Sequence, residues 1–96
     1  MDSSSEPAIK AHLFIKGKVQ GVFFRSWVKK MAEELKLVGW VKNLDDGRVE
    51  TEFEGSRDKV DELVELCKQG FETAKVEHVD IVFEEPERNF IQFVIL

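Results

Sequence analysis

Apolar and polar positions alternate from Ile9 onward. Ile9, Ala11, Leu13 and Ile15 fall on one side, and Lys10, His12 and Lys16 on the other. This period of two predicts a strand with one face on a core. Phe14 interrupts the polar side, so that side is expected to be partly covered. Gly17 is expected to end the strand. From about Phe24 to Leu37 the period lengthens. Phe24, Val28, Met31, Ala32 and Leu35 fall at helical spacing, with Lys29, Lys30, Glu33, Glu34 and Lys36 opposite, and Ser26 offers a hydroxyl near the start. Val38 to Asn43 is rich in β-branched and aromatic residues and predicts a second strand. Asp45-Asp46-Gly47 is a hairpin turn signal. Val49, Thr51 and Phe53 then alternate with Glu50, Glu52 and Glu54, which predicts a third strand with a solvated glutamate row, ended by Gly55. Ser56 suits a helix N-cap, and Asp58 complements the first turn. Val60, Leu63, Val64 and Cys67 form the buried stripe of that second helix, and Gly70 is its stop. Val76, Val79, Ile81 and Phe83 predict a fourth strand that Pro86 ends. The step from Val76 to Val79 breaks the alternation and predicts a bulge or a late start there. Phe90 to Leu96 reads as a short closing strand.

The resulting order is β-α-β-β-α-β with one extra C-terminal strand. Two helices with one apolar face each must cover the same face of one sheet. With right-handed crossovers this is a ferredoxin-like α+β sandwich, an antiparallel sheet with its first and third strands central. Ninety-six residues make one domain, expected over 8–96, behind a loose Ser-rich acidic tail over 1–7.

Composition narrows the function classes. The chain is 43% hydrophobic, enough for a two-layer core, and no apolar run approaches the ~20 residues of a membrane helix. The N-terminus lacks the basic start and apolar centre of a secretory signal. One cysteine excludes an internal disulfide framework, and with only two histidines it argues against a structural zinc. A cytoplasmic protein with no membrane partner is expected. The net charge of −5 disfavours a nucleic-acid partner.

Candidate chemistry gathers in Gly17-Lys18-Val19-Gln20-Gly21-Val22-Phe23-Phe24-Arg25. A strand that stops, a glycine-freed loop and a helix start can aim several main-chain N–H groups at one anion. Arg25 adds a planar, permanently charged fork suited to phosphate or carboxylate. Taken alone, each part has a plainer reading. The loop could be a tight connection, Arg25 a surface ion pair, and Asn43 a turn residue. Cys67 is expected to be packed, His12 and His78 to lie on the face away from the helices, and Trp40 to cover core or sheet. The Glu50, Glu52 and Glu54 carboxylates are spread ~7 Å apart along one strand face, which argues against a metal site.

The full stretch resembles the acylphosphatase signature G-x-V-Q-G-V-x-F-R. Gly39-Trp40-Val41-Lys42-Asn43, followed by Gly47, Val49 and Glu50, is similar to the family's G-W-V-x-N-x-x-x-G-x-V-E. Gly70, Ala74 and Val76 resemble G-P-x-x-A-x-V, with Phe71 in place of the proline, and Phe93-Val94-Ile95 resembles F-x-I. The resemblance spans about Ala8 to Leu96 and implies a small ferredoxin-like enzyme that needs no metal or cofactor. The implied reaction hydrolyses acyl phosphates to a carboxylate and inorganic phosphate. Carried over by position, the catalytic residues are Arg25 and Asn43. The phosphate cradle is Val19, Gln20, Gly21, Val22, Phe23 and Phe24, joined by Arg25, with Gln20 shaping the loop. Asn43 would orient the attacking water, since an amide is no base near neutral pH. The partner is then a small-molecule acyl phosphate, and a monomer is the default. The alternative is a non-catalytic ferredoxin-like module that binds a phosphorylated ligand, a role that does not call for Asn43 beside Arg25. A third reading is the N-terminal domain of a larger carbamoyl-transfer maturation enzyme. The end at Leu96 without a linker favours the free-standing form.

Overall fold

The alternating run at the start of the chain forms the central strand β1 (Ala8–Lys18). It is followed by helix α1 (Phe24–Glu34), the hairpin β2 (Val38–Asn43) and β3 (Val49–Ser56), helix α2 (Arg57–Gln69), β4 (Lys75–Glu84) and β5 (Phe93–Ile95). The computed structural model describes residues 7–96. The tail expected over 1–7 therefore lies almost wholly outside the described residues.

One sheet runs in the order β4-β1-β3-β2-β5, with β1 and β3 inside as expected. The β1–β3, β1–β4 and β2–β3 pairs are antiparallel, and β5 joins β2 in parallel, so the sheet as a whole is mixed. Both helices cover one face. α1 packs on β2 and β5, and α2 on β1, β3 and β4. Between them lie Leu13, Ile15, Phe53, Phe24, Val28 and Leu63, all essentially without solvent exposure. The expected bulge is present. Lys16 pairs with His78 but Gly17 with Val76, which leaves Glu77 over.

Several boundaries differ from the sequence expectation. β1 runs through Gly17 to Lys18, and β3 runs through Gly55 to Ser56. Gly17 is needed for a close approach instead, because a Cβ there would sit 2.2 Å from the Lys75 carbonyl oxygen. α1 stops at Glu34, not Leu37, because Lys36 takes a left-handed conformation (φ 60°). There Lys36 N–H donates to Glu33 O and Leu37 N–H to Ala32 O, a capping pattern that releases the chain toward β2. Ser56 occupies the N-cap of α2, but its hydroxyl makes no capping hydrogen bond. β5 is confined to three residues.

The glutamate row is not solvated. β3 is central, and the side chains of Glu50 and Glu52 are only 14% and 13% exposed. Residues 85–92 must cross from the β4 edge to the β2 edge, and they do so over the helix-free face. Glu54 holds this strap, accepting from the main-chain N–H groups of Glu87 and Arg88 at 2.9 Å each. Beneath it the Lys10 ammonium lies 3.3 Å from both Glu52 and Glu84 and donates to Glu87. Burial alone would lower the pKa of Lys10. The hydrogen bond to Glu87 and the charge of Glu52 outweigh it and raise the group above the usual lysine range.

Candidate active site

After Lys18 the chain leaves the sheet and reaches α1 at Phe24, six residues later. Val19 and Phe24, at the two ends of this loop, are buried in the core and fix it. Between them Gly21 (φ 74°) and Phe23 (φ 63°) are both left-handed, which curls the loop back on the helix start. The loop encloses a cavity of about 220 Å³ lined by Val19, Gly21, Phe23, Phe24, Arg25 and Ser26.

The start of α1 is electrically bare. Phe23 stands at the N-cap without a side-chain capping bond, and the first turn carries no acidic residue, whereas the first turn of α2 carries Asp58. The first N–H groups of a helix have no intrahelical acceptor and carry the positive end of its dipole. Arg25 lies in this turn. Arg48 and Arg57 are paired with Asp46 and Asp61, but Arg25 has no Asp or Glu partner among the described residues. Its Nη1 donates at 3.4 Å to the main-chain oxygen of Leu96. A larger depression of about 410 Å³ lies at Lys16, Gly17, Asp46, Gly47, Arg48 and Glu77. Its Arg48 is already neutralised by Asp46, so the smaller cavity is the better anion site.

Asn43 is the last residue of β2, opposite Val49, and shares the helix side of the sheet with Val41. Its Oδ1 is buried and has no hydrogen-bond partner. An unpaired buried acceptor costs about 1–3 kcal/mol, so such an atom calls for a donor brought in from outside the fold. Asn43 is not among the cavity-lining residues. Two connections tie it to them. Leu96, which accepts from Arg25, donates its own N–H to Val41 O at 2.8 Å. Gln20 donates through Nε2 to Leu44 O at 2.8 Å and to Arg48 O at 2.9 Å, fastening the loop to the hairpin that carries Asn43.

Of the loop residues singled out in the sequence, Val19, Gly21, Phe23, Phe24 and Arg25 line the cavity. Gln20 turns its amide to the hairpin, and Val22 packs against the core. Sequence reasoning missed three contributors. Ser26 lines the cavity. Leu96 contributes a main-chain oxygen, which no side-chain pattern announces. Phe71 stacks on Trp27 at 5.0 Å, and Trp27 on Phe24 at 5.6 Å, which buttresses the start of α1. Its only sequence signal is its replacement of the family's proline. Cys67 and the histidines are elsewhere. Burial pushes the Cys67 thiol up to about 12, His12 contacts Glu50, and His78 contacts Asp80.

A family model described as Acylphosphatase matches residues 11–95. An acylphosphatase of Chloroflexus aurantiacus is 49% identical over 78 residues, covering 81% of this chain and 85% of that protein. The crystal structure of acylphosphatase from Bacillus subtilis superposes with a TM-score of 0.88 at 36% identity, covering 92% of this chain and 98% of the other. The structure of an acylphosphatase from Coxiella burnetii also gives 0.88, at 41% identity and 94% coverage of both chains.

Proposed function

The chain belongs to the acylphosphatase family, and on that premise we propose how its residues divide the work of hydrolysing an acyl phosphate. The reaction breaks the bond between phosphorus and the acyl oxygen. The phosphoryl oxygens sit in the cradle of Val19, Gln20, Gly21, Val22, Phe23 and Phe24, against main-chain N–H groups at the bare start of α1. Arg25 grips the same oxygens with its fork and keeps its grip as charge redistributes in a loose transition state. Asn43 accepts a hydrogen bond from a water through its unpaired Oδ1 and holds that water in line behind phosphorus. The water oxygen bonds to phosphorus, the carboxylate departs with its electron pair, and the water's proton passes to a phosphate oxygen. Products are a carboxylate and dihydrogen phosphate. A carboxylate leaves without being protonated, so the scheme uses no general acid, covalent nucleophile, metal or cofactor.

The observation that carries this reading is an uncapped, acid-free helix start whose own arginine has no Asp or Glu partner among the described residues. Residues 8–96 act as one catalytic unit. The whole site comes from one chain, so we assign the activity to the monomer. A single buried thiol suits a reducing compartment, and we place the protein in the cytoplasm. No helix among the described residues is long and apolar enough to cross a membrane.

Benzoyl phosphate hydrolysis in the presence of a chelator tests the scheme. Arg25→Ala should lose turnover by at least about 100-fold and weaken inhibition by inorganic phosphate. Asn43→Ala should lose a comparable factor, about 100–1,000-fold, while phosphate still inhibits. Full activity in Arg25→Ala, or loss of phosphate inhibition alone in Asn43→Ala, would overturn these roles. Inactivation of the wild type by the chelator would overturn the metal-free scheme. Phosphate binding by a wild type that turns nothing over would identify a binding module.

A further inference from the structure

Phe23 stands out in this molecule for its surroundings. It is 81% exposed, yet it lines the phosphate cavity. It also holds a left-handed backbone at the N-cap of α1 (φ 63°). A bulky aromatic residue pays about 1–2 kcal/mol for that conformation, where glycine or asparagine would pay little. A strained, solvent-facing ring gains nothing for the fold, and strained residues of this kind collect at ligand clamps. Single exposed apolar residues are common on protein surfaces, and Ile91 and Val82 are ordinary examples that do not line the cavity. Phe23 differs because it lines the depression that joins a bare helix start to the Arg25 guanidinium, which has no Asp or Glu partner among the described residues. Leu96, whose main-chain oxygen Arg25 reaches, is also 63% exposed. The site therefore sets the Arg25 guanidinium and the bare helix start beside an exposed aromatic ring.

Building on the hydrolytic reading above, we propose that Phe23 is the acyl-group contact of the site and sets its preference among acyl phosphates. With the phosphoryl group on the loop amides, the acyl part must point out of the cavity, toward its rim. An aryl or extended aliphatic acyl group covers the Phe23 ring and is itself removed from water. An acetyl or carbamoyl group is too small or too polar to do so. The site then selects acyl phosphates with an apolar, preferably aromatic, acyl group. Phe23 acts by contact with the substrate and takes no part in proton or phosphoryl transfer.

The test is the ratio of kcat/KM for benzoyl phosphate to that for acetyl phosphate, measured on the full chain. Phe23→Ala should lower this ratio about 10-fold, the loss expected for one aromatic contact. Phe23→Asn removes the ring but relieves the left-handed backbone, so it keeps the loop folded, and it should lower the ratio similarly. Phe23→Leu should retain part of it. A common fall in both rates reports on the loop and leaves the ratio unmoved. An unmoved ratio in Phe23→Ala and Phe23→Asn overturns the proposal, whatever happens to the absolute rates. A wild type that hydrolyses neither compound overturns the hydrolytic reading, and this proposal with it.

Discussion

Replacing Gln20 by alanine leaves its main-chain N–H in the cradle and removes only the side-chain link between the two halves of the site. The Gln20 amide makes two bonds, at 2.8 Å to Leu44 O and at 2.9 Å to Arg48 O. Both carbonyls keep another partner after the substitution, since Gly47 N–H donates to Leu44 O and Leu44 N–H to Arg48 O. The cost is thus two lost bonds and no orphaned acceptors, about 1 kcal/mol each or about 2 kcal/mol in all. For a domain of this size that lowers Tm by about 8–16 °C. The kinetic effect should be larger than the structural one. Cradle and Arg25 travel with α1, Asn43 travels with the hairpin, and Gln20 is a direct bond between them. A displacement of about 1 Å between water and phosphorus costs on the order of 100-fold in rate, so kcat should fall about 10–100-fold. Inhibition by inorganic phosphate, which reads the cradle alone, should change by less than about 3-fold, under 1 kcal/mol. Thermal melts, kcat and phosphate inhibition on one preparation decide the matter. The expected stability loss with kcat within about 2-fold of wild type would refute the positioning role. A phosphate inhibition constant that rises in step with the loss of kcat would refute it differently, by showing that Gln20 shapes the cradle itself.

Lys10→Met should destabilise the fold by about 2–3 kcal/mol in urea unfolding at pH 7, because Glu52, Glu84 and Glu87 would face one another without their cation. An unchanged midpoint at pH 7 would refute the network's contribution. The Cys67 thiol, raised by burial from 9.0 to about 12, should resist thiol reagents in the native protein and react on unfolding. Because its folded value lies above its unfolded one, its contribution to stability is complete below pH 9 and is lost as pH rises toward 12. That loss runs at about 1.4 kcal/mol per pH unit. Cys67→Ala should flatten this alkaline slope, and an equal slope in both proteins would show that other groups set it.

The parts of the fold legible in the sequence are those governed by local chemistry. β2 and its turn follow from β-branched residues and an Asp-Asp-Gly signal, and Gly47 takes φ 96° there. The Glu77 bulge announced itself as a broken alternation. Glycines misled where their reason is tertiary. Gly17 makes room for the Lys75 carbonyl, and Gly55 makes room for the Leu37 side chain, where a Cβ would meet Cδ2 at 2.5 Å. Neither neighbour can be read from the glycine's own surroundings in the chain. The glutamate row failed for the same reason. Spacing along one strand is about 7 Å, but neighbours across strands are closer. Lys10 and His12 from β1 and the strap over 85–92 turn a presumed wet face into a part-buried ionic network. His12, Glu52 and Glu84 even bring ligand-type atoms within 4.8 Å of one another, and Lys10 already supplies the positive charge beside both glutamates.

The candidate site divides along the same line. The cradle was legible because nine consecutive residues carry it, from the glycine that frees the loop to the arginine in the first helical turn. Its junction with Asn43 was not legible, because main-chain groups far apart in sequence make it. One part of that junction, Leu96, is held in place by β5. It is only three residues long, and a strand that short holds its place on an edge only if something else fixes it. Here Phe93 is buried in the core, Lys29 of α1 donates to Phe93 O at 2.8 Å, and Gly39 N–H donates to Gln92 O at 3.0 Å. Leu96, one residue past the strand, then bonds to Val41 on one side and receives Arg25 on the other. β5 therefore completes the sheet edge beside β2 on which α1 packs, and Leu96 just past it links β2 to Arg25. A run of apolar residues at the end of a chain predicts a strand. That this strand brings Leu96 to both β2 and Arg25 follows only from which edge it joins.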